Sequence, residues 1–112
     1  MHNILFISSR ADMGGGPLQM FDIISNIDRS RFTPFVALPD EEPFFNKIKS
    51  IGVRALAIKK RALSIFDFSN LVKFVYSNNI DIVHSHGKGA GIYSRLLKIF
   101  CPQIKVVHTF HG

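Results

Sequence analysis

Short continuous apolar runs alternate along this chain with longer stretches in which apolar residues recur every three or four positions. The runs are Ile4–Ser8, Phe32–Leu38, Val53–Ile58, Asp81–Ser85 and Ile104–Thr109. Their length and unbroken apolar character suit strands buried on both faces. Between the first two runs, Leu18 to Ile27 places Leu18, Phe21, Ile24 and Ile27 on one helical stripe. Pro43 to Ile51 predicts a short helix stopped by Gly52. A third helix is expected to take its cap from Asp67 or Ser69, to turn Leu71, Val72, Val75 and Tyr76 inward, and to end at Asn78-Asn79. Gly87 to Gly91 predicts a second glycine-rich turn. Ile92 to Phe100 then predicts a fourth helix, which Pro102 keeps from extending.

Strand and helix therefore alternate throughout, which predicts an α/β chain with a Rossmann-like parallel sheet flanked by helices. Ligands of such sheets bind outside the carboxyl ends of the strands. The unusual clusters all fall at that edge. Gly14-Gly15-Gly16 follows the first strand, His84-Ser85-His86-Gly87-Lys88 the fourth, and His108-Thr109-Phe110-His111-Gly112 the fifth.

With 112 residues, 46% of them hydrophobic, the chain is long enough for one folded domain. Its formal charge of +6 favours an anionic partner. Basic residues are scattered without a recognition helix or an aromatic RNA-binding motif, so nucleic acid is not expected. Lys59-Lys60-Arg61 is followed by Leu63, Ile65, Phe66 and Phe68, an adjacency of basic and apolar groups that suits an anionic membrane surface. The single cysteine, Cys101, cannot form an internal disulfide and fits a reducing cytosolic setting. No targeting segment and no membrane-spanning run stands out, which predicts a soluble or peripherally attached protein.

The glycine turn carries the first candidate chemistry. Strand, glycines and helix start are the geometry in which backbone N–H groups and a helix N-terminus face an anion. Pro17 suits the first helical position, and Gln19 in the first turn reaches the same space. A dinucleotide fingerprint would need a third glycine at position 19, which is Gln. Gly87-Lys88-Gly89 lacks the remainder of a phosphate-binding P-loop. His84 and His86 are two apart on a strand and so share a side, with His108 and His111 near enough in sequence to count as metal candidates. No spacing motif completes such a set, and no metal is expected. His84 reads as a partly buried strand residue; His86 and His111 read as exposed at the rim.

With these clusters in order, the chain resembles the N-terminal domain of family 4 glycosyltransferases of the GT-B fold. The matching residues are Ile4-Leu5-Phe6-Ile7 with Met13-Gly14-Gly15-Gly16-Pro17-Leu18-Gln19, then Asp81-Ile82-Val83-His84-Ser85-His86, then Val106-Val107-His108-Thr109-Phe110-His111-Gly112. The resemblance implies a glycine loop near the donor diphosphate and acceptor at Gly14, Gly15 and Gly16, with Gln19 beside it. It also implies an acceptor-side lining at His86, Gly87 and Lys88. His111, followed by Gly112, is implied as the catalytic histidine, touching the donor sugar near the reacting carbon. Such enzymes generally retain anomeric configuration and need no metal or separate cofactor. Residues 1–112 would then be the acceptor-side half of a GT-B architecture, acting on a nucleotide-sugar and a glycan or lipid-linked acceptor. The paired-glutamate C-terminal domain is missing from this sequence. A truncated gene product, a domain fragment and one half of a split enzyme remain open, with an unpaired sheet edge and no activity expected of the chain alone. The expected location is cytoplasmic, peripheral at the inner face of the cell membrane. A non-catalytic Rossmann-like module for a phosphorylated ligand is the alternative.

Overall fold

A computed structural model describes residues 2–8, 15–40, 44–58, 65–86 and 88–109. Its strands are β1 (His2–Ser8), β2 (Phe32–Pro39), β3 (Arg54–Ile58), β4 (Ile82–His86) and β5 (Lys105–Thr109). The helices between them are α1 (Gly15–Asn26), α2 (Phe44–Ser50), α3 (Ile65–Ser77) and α4 (Lys88–Phe100). All strand pairs are parallel, in the order β3-β2-β1-β4-β5. This is the Rossmann-like sheet that the alternating pattern predicts.

The period of two sends successive residues of β1 to opposite faces. Leu5 and Ile7 join Phe35, Ala37 and Val83 beneath α3 and α4, which contribute Leu71, Val75, Tyr93 and Leu97. Ile4 and Phe6 join Val36 and Leu38 beneath α1 and α2, which contribute Met20, Ile24 and Ile48. Two helices on each face cover a sheet whose central strands are apolar on both sides, as the continuous runs require.

Three helices begin earlier than the sequence suggests. The first helix starts at Gly15 rather than Leu18, so Pro17 is its third residue and Gln19 lies in its second turn. Proline is still tolerated there, because the first four N–H groups of a helix have no partner within it. The third starts at Ile65, which puts Asp67 inside the first turn instead of at the cap. The fourth starts at Lys88, so Gly89 and Gly91 are helical and the predicted second turn is the helix's opening. Glycine costs a helix about 1 kcal/mol per residue, but Ala90, Tyr93, Ser94 and Leu97 bury one full stripe against the sheet and outweigh it. Tyr76, expected inward, is 54% exposed. Its hydroxyl donates to the Phe100 carbonyl at 3.1 Å, beyond the edge of the core.

The helix ends follow the expected chemistry. Gly52 has φ +80°, and its N–H reaches the Lys49 carbonyl at 3.1 Å, closing α2 in the left-handed conformation that glycine adopts without strain. Asn79 does the same after α3 with φ 52°. That turn is clamped from β1. The Asn3 side-chain amide donates to the carbonyls of both Asn78 and Asn79 at 3.0 Å, and the Asn3 N–H donates to the Asp81 carboxylate at 2.9 Å. Asn3→Ala removes the two side-chain bonds and should lower the unfolding free energy by about 1–2 kcal/mol, measured by urea denaturation.

Candidate functional site

The strand order reverses direction between β1 and β4, because the chain builds outward from β1 to β2 and β3 and then crosses back. The crevice outside the carboxyl ends at such a switch point is where open α/β sheets bind ligands. The register places Ser8 beside His86 and His86 beside Thr109. The ends of β1, β4 and β5 therefore line up, with neighbouring strands about 4.8 Å apart. Three segments separated widely in sequence are carried to one rim.

Two helices open at that rim, on opposite faces of the sheet. The α1 helix follows β1 and packs over β1 and β4; α4 follows β4 and packs against β4 and β5. Neither has an acidic residue in its first turn. The partial positive charge of each N-terminus is thus not offset by a first-turn carboxylate of its own helix. The α3 helix, by contrast, carries the buried Asp67 in its first turn.

On the α1 face the rim is aromatic and polar. The His84 and His86 rings stack with centroids 4.4 Å apart, and Phe6 lies 5.5 Å from His84 and 6.4 Å from His86. The shared side expected of residues two apart is thus observed. His84 is half-buried, as expected, but His86 is only 2% exposed, so its expected exposure is corrected. The strand continues one residue past the apolar run, and the ring is enclosed beside Phe6 with its Nε2 buried. Ser8, buried like His86, shares this face. A face that is apolar at Ile4 and Phe6 ends in hydroxyl and imidazole groups at the carboxyl edge.

The other face of β4 carries a polar pair that the sequence patterns do not single out. The Ser85 and Ser94 hydroxyls are 3.1 Å apart and buried, and the Ser94 hydroxyl donates to the Gly91 carbonyl at 2.9 Å. This bond pins the first turns of α4 to the end of β4. The available signal was a serine on the buried stripe of Ala90, Tyr93 and Leu97.

Among the remaining candidates, Gly15 and Gly16 open α1, Lys88 opens α4, and Gln19 is exposed on α1. Gly14, Gly87, His111 and Gly112 lie outside the described residues, as do Lys59, Lys60 and Arg61. Among the described residues, no group of three or more His, Cys, Asp or Glu is placed to hold a metal ion. No described helix is long and apolar enough to cross a membrane.

The family model described as Glycosyltransferase Family 4 matches residues 13–112. The chain belongs to that family. It is 25% identical over its full length to the O-antigen biosynthesis glycosyltransferase WbnH of Escherichia coli. The probable O-antigen biosynthesis glycosyltransferase WbiN of the same species matches equally. In both cases the chain spans 32% of the curated relative's length. Among solved structures, a glycosyltransferase from Rickettsia africae superimposes with a TM-score of 0.79 at 16% identity, over 99% of this chain and 30% of that one. MurG of Acinetobacter baumannii gives 0.72 at 11% identity, over 98% of this chain and 35% of its own. These likenesses place the sheet among glycosyltransferase folds and match about a third of each larger protein.

Ser94→Ala removes the bonds to Ser85 and Gly91 without adding bulk. It should cost about 1–2 kcal/mol in denaturant unfolding, with faster amide exchange in the first turns of α4 than in the rest of that helix.

Proposed function

We propose that this domain is the acceptor-side half of a retaining glycosyltransferase that moves a sugar from a nucleotide-sugar to a cell-surface glycan or its lipid-linked precursor. The observation that carries this reading is the alignment of the β1, β4 and β5 ends at the switch point, in a chain of this family. The O-antigen names of its curated relatives support the acceptor class.

In this reading the N–H groups of Gly15 and Gly16, which open α1, approach the donor diphosphate together with that of the preceding residue in sequence, Gly14. The small residues leave room, and the helix N-terminus offsets the charge that develops as the sugar–phosphate bond breaks. Gln19 lies on the exposed side of the same helix and orients acceptor or donor oxygens. His86, Gly87 and Lys88 line the acceptor side. Buried His86 acts by fixing the end of β4 against Phe6, and Lys88 supplies positive charge where α4 opens. His111 lies two residues beyond Thr109, itself in register with His86, and touches the donor sugar near the reacting carbon; Gly112 gives the chain room beside it. A second, C-terminal domain supplies most of the nucleotide pocket. The nucleotide-sugar is a co-substrate, and no metal or further cofactor takes part. The domain works in the cytoplasm, peripherally at the inner face of the cell membrane, where lipid-linked acceptors are presented.

The 112-residue chain alone should turn over no nucleotide-sugar. In the enzyme reconstituted with its C-terminal domain, His111→Ala should lower kcat by about 10²-fold or more with little change in donor affinity. Gly15→Val should instead weaken donor binding, by placing a β-branched side chain at the opening of α1. Radiolabelled sugar transfer and donor titration separate the two effects. Normal turnover in both variants would move the active site away from this rim.

A further inference from the structure

Seven of the nine large apolar side chains exposed among the described residues lie on α3 and α4. Ile65 and Phe66, at the start of α3, are 85% and 79% exposed, and Ile99 on α4 is 71% exposed. Ile92, Leu96 and Ile99 stand at positions i, i+4 and i+7 and so form one stripe along α4. That stripe lies opposite the buried one made by Ala90, Tyr93, Ser94 and Leu97. The two helices share one surface. The Phe68 and Phe100 rings meet edge-on at 5.3 Å, and the Tyr76 hydroxyl donates to the Phe100 carbonyl.

Charge is distributed unevenly around this surface. Between them α3 and α4 hold one carboxylate, Asp67, and it is buried. Lys73 and Arg95 are exposed on the same two helices. Lys98 is tied to the Pro102 and Ile104 carbonyls and faces the β5 side. The basic segment Lys59-Lys60-Arg61 precedes α3 in sequence, separated from it by Ala62-Leu63-Ser64. Exposed carboxylates of the described residues lie elsewhere: Asp22 on α1, Asp28 in the turn after it, Asp40 after β2 and Asp81 ahead of β4.

We propose that the outer face of α3 and α4 rests on an anionic lipid bilayer, with Ile65, Phe66, Leu96 and Ile99 entering the interface and Lys73 and Arg95 meeting the headgroups. Apolar side chains rimmed by cations and free of exposed carboxylates suit that surface, where burial and electrostatic attraction add. A second copy of the chain suits it poorly. Two such faces brought together would oppose cation to cation with no carboxylate between them. This inference rests on the peripheral placement proposed above and assigns it a surface.

Sedimentation of the 112-residue chain with vesicles tests it in the absence of any sugar donor, so the outcome does not depend on catalysis. The probes are phosphatidylcholine vesicles and equal-part phosphatidylcholine–phosphatidylglycerol vesicles at low salt. The chain should bind the anionic vesicles and not the neutral ones. Lys73→Glu with Arg95→Glu should weaken that binding by about tenfold or more, since each basic residue near the surface contributes severalfold. Phe66→Ser with Ile99→Ser should weaken it as well, leaving the thermal unfolding midpoint near that of the parent because these side chains are 79% and 71% exposed. The charge-matched control, Lys47→Glu with Lys49→Glu on α2, should bind nearly as the parent does. Loss in the α2 variant with normal binding in the α3/α4 variants would overturn the assigned face and leave peripheral placement standing. Equal sedimentation with both vesicle types, or with neither, would overturn both. A dimer in solution that the Phe66/Ile99 variant abolishes would give the face to a second copy and overturn the lipid assignment.

Discussion

The parallel pairing of β1 with β4 is the constraint on which the rest of the structure depends. It sets Ile4 beside Ile82 and Ser8 beside His86, and it brings the second half of the chain back across the first. That return requires a crossover, which α3 provides, and it creates the reversal of strand order at which a crevice forms. A shift of one residue in this register would send His84 and His86 to the α3/α4 face and Ser85 to the α1 face. The histidine–phenylalanine stack and the Ser85–Ser94 bond would both be lost. One ladder of backbone hydrogen bonds therefore decides which side chains share the face of the sheet that α1 covers.

The two edges of the sheet are built differently. At the amino edge, backbone bonds from Asp81 N–H to Asn3 and from Lys105 N–H to Asp81, each 2.8 Å, tie neighbouring segments together, and the Asn3 side chain locks the turn after α3. At the carboxyl edge, chain segments leave the sheet toward two helix starts without first-turn carboxylates. A hydrogen-bonded turn at one edge and helix starts without first-turn carboxylates at the other fit a domain that positions an anionic ligand at its rim.

Most of the architecture was legible because a parallel sheet covered on both faces forces continuous apolar runs, and helices between them force a period near 3.6. What could not be read locally were decisions made by packing. Glycine suggested that Gly15-Gly16 and Lys88 to Gly91 were turns, yet both segments are helical. For α4 the gain comes from burying Ala90, Tyr93, Ser94 and Leu97. Burial of His86 depends on Phe6, distant in the sequence, and the outward position of Tyr76 depends on Phe100 on another helix. The rim was legible from its motifs in β1, β4 and β5; the order in which those strands stand emerged only with the fold. The apolar stripe of Ile92, Leu96 and Ile99 was hidden because α4 carries apolar residues on both its buried and its outer side.

The central claim is that the carboxyl rim at the β1–β4 switch point is the anion-binding edge of this domain. An amide ¹⁵N–¹H titration of the chain with inorganic pyrophosphate tests it most directly. The account predicts saturable shifts confined to the end of β1, the first turn of α1, the start of α4 and the end of β5, around Ser8, Gly15, Gly16, Lys88 and Thr109. Shifts centred on Asn3, Asp81 and Lys105 at the opposite edge, or none in the carboxyl-rim residues at saturating ligand, would contradict it.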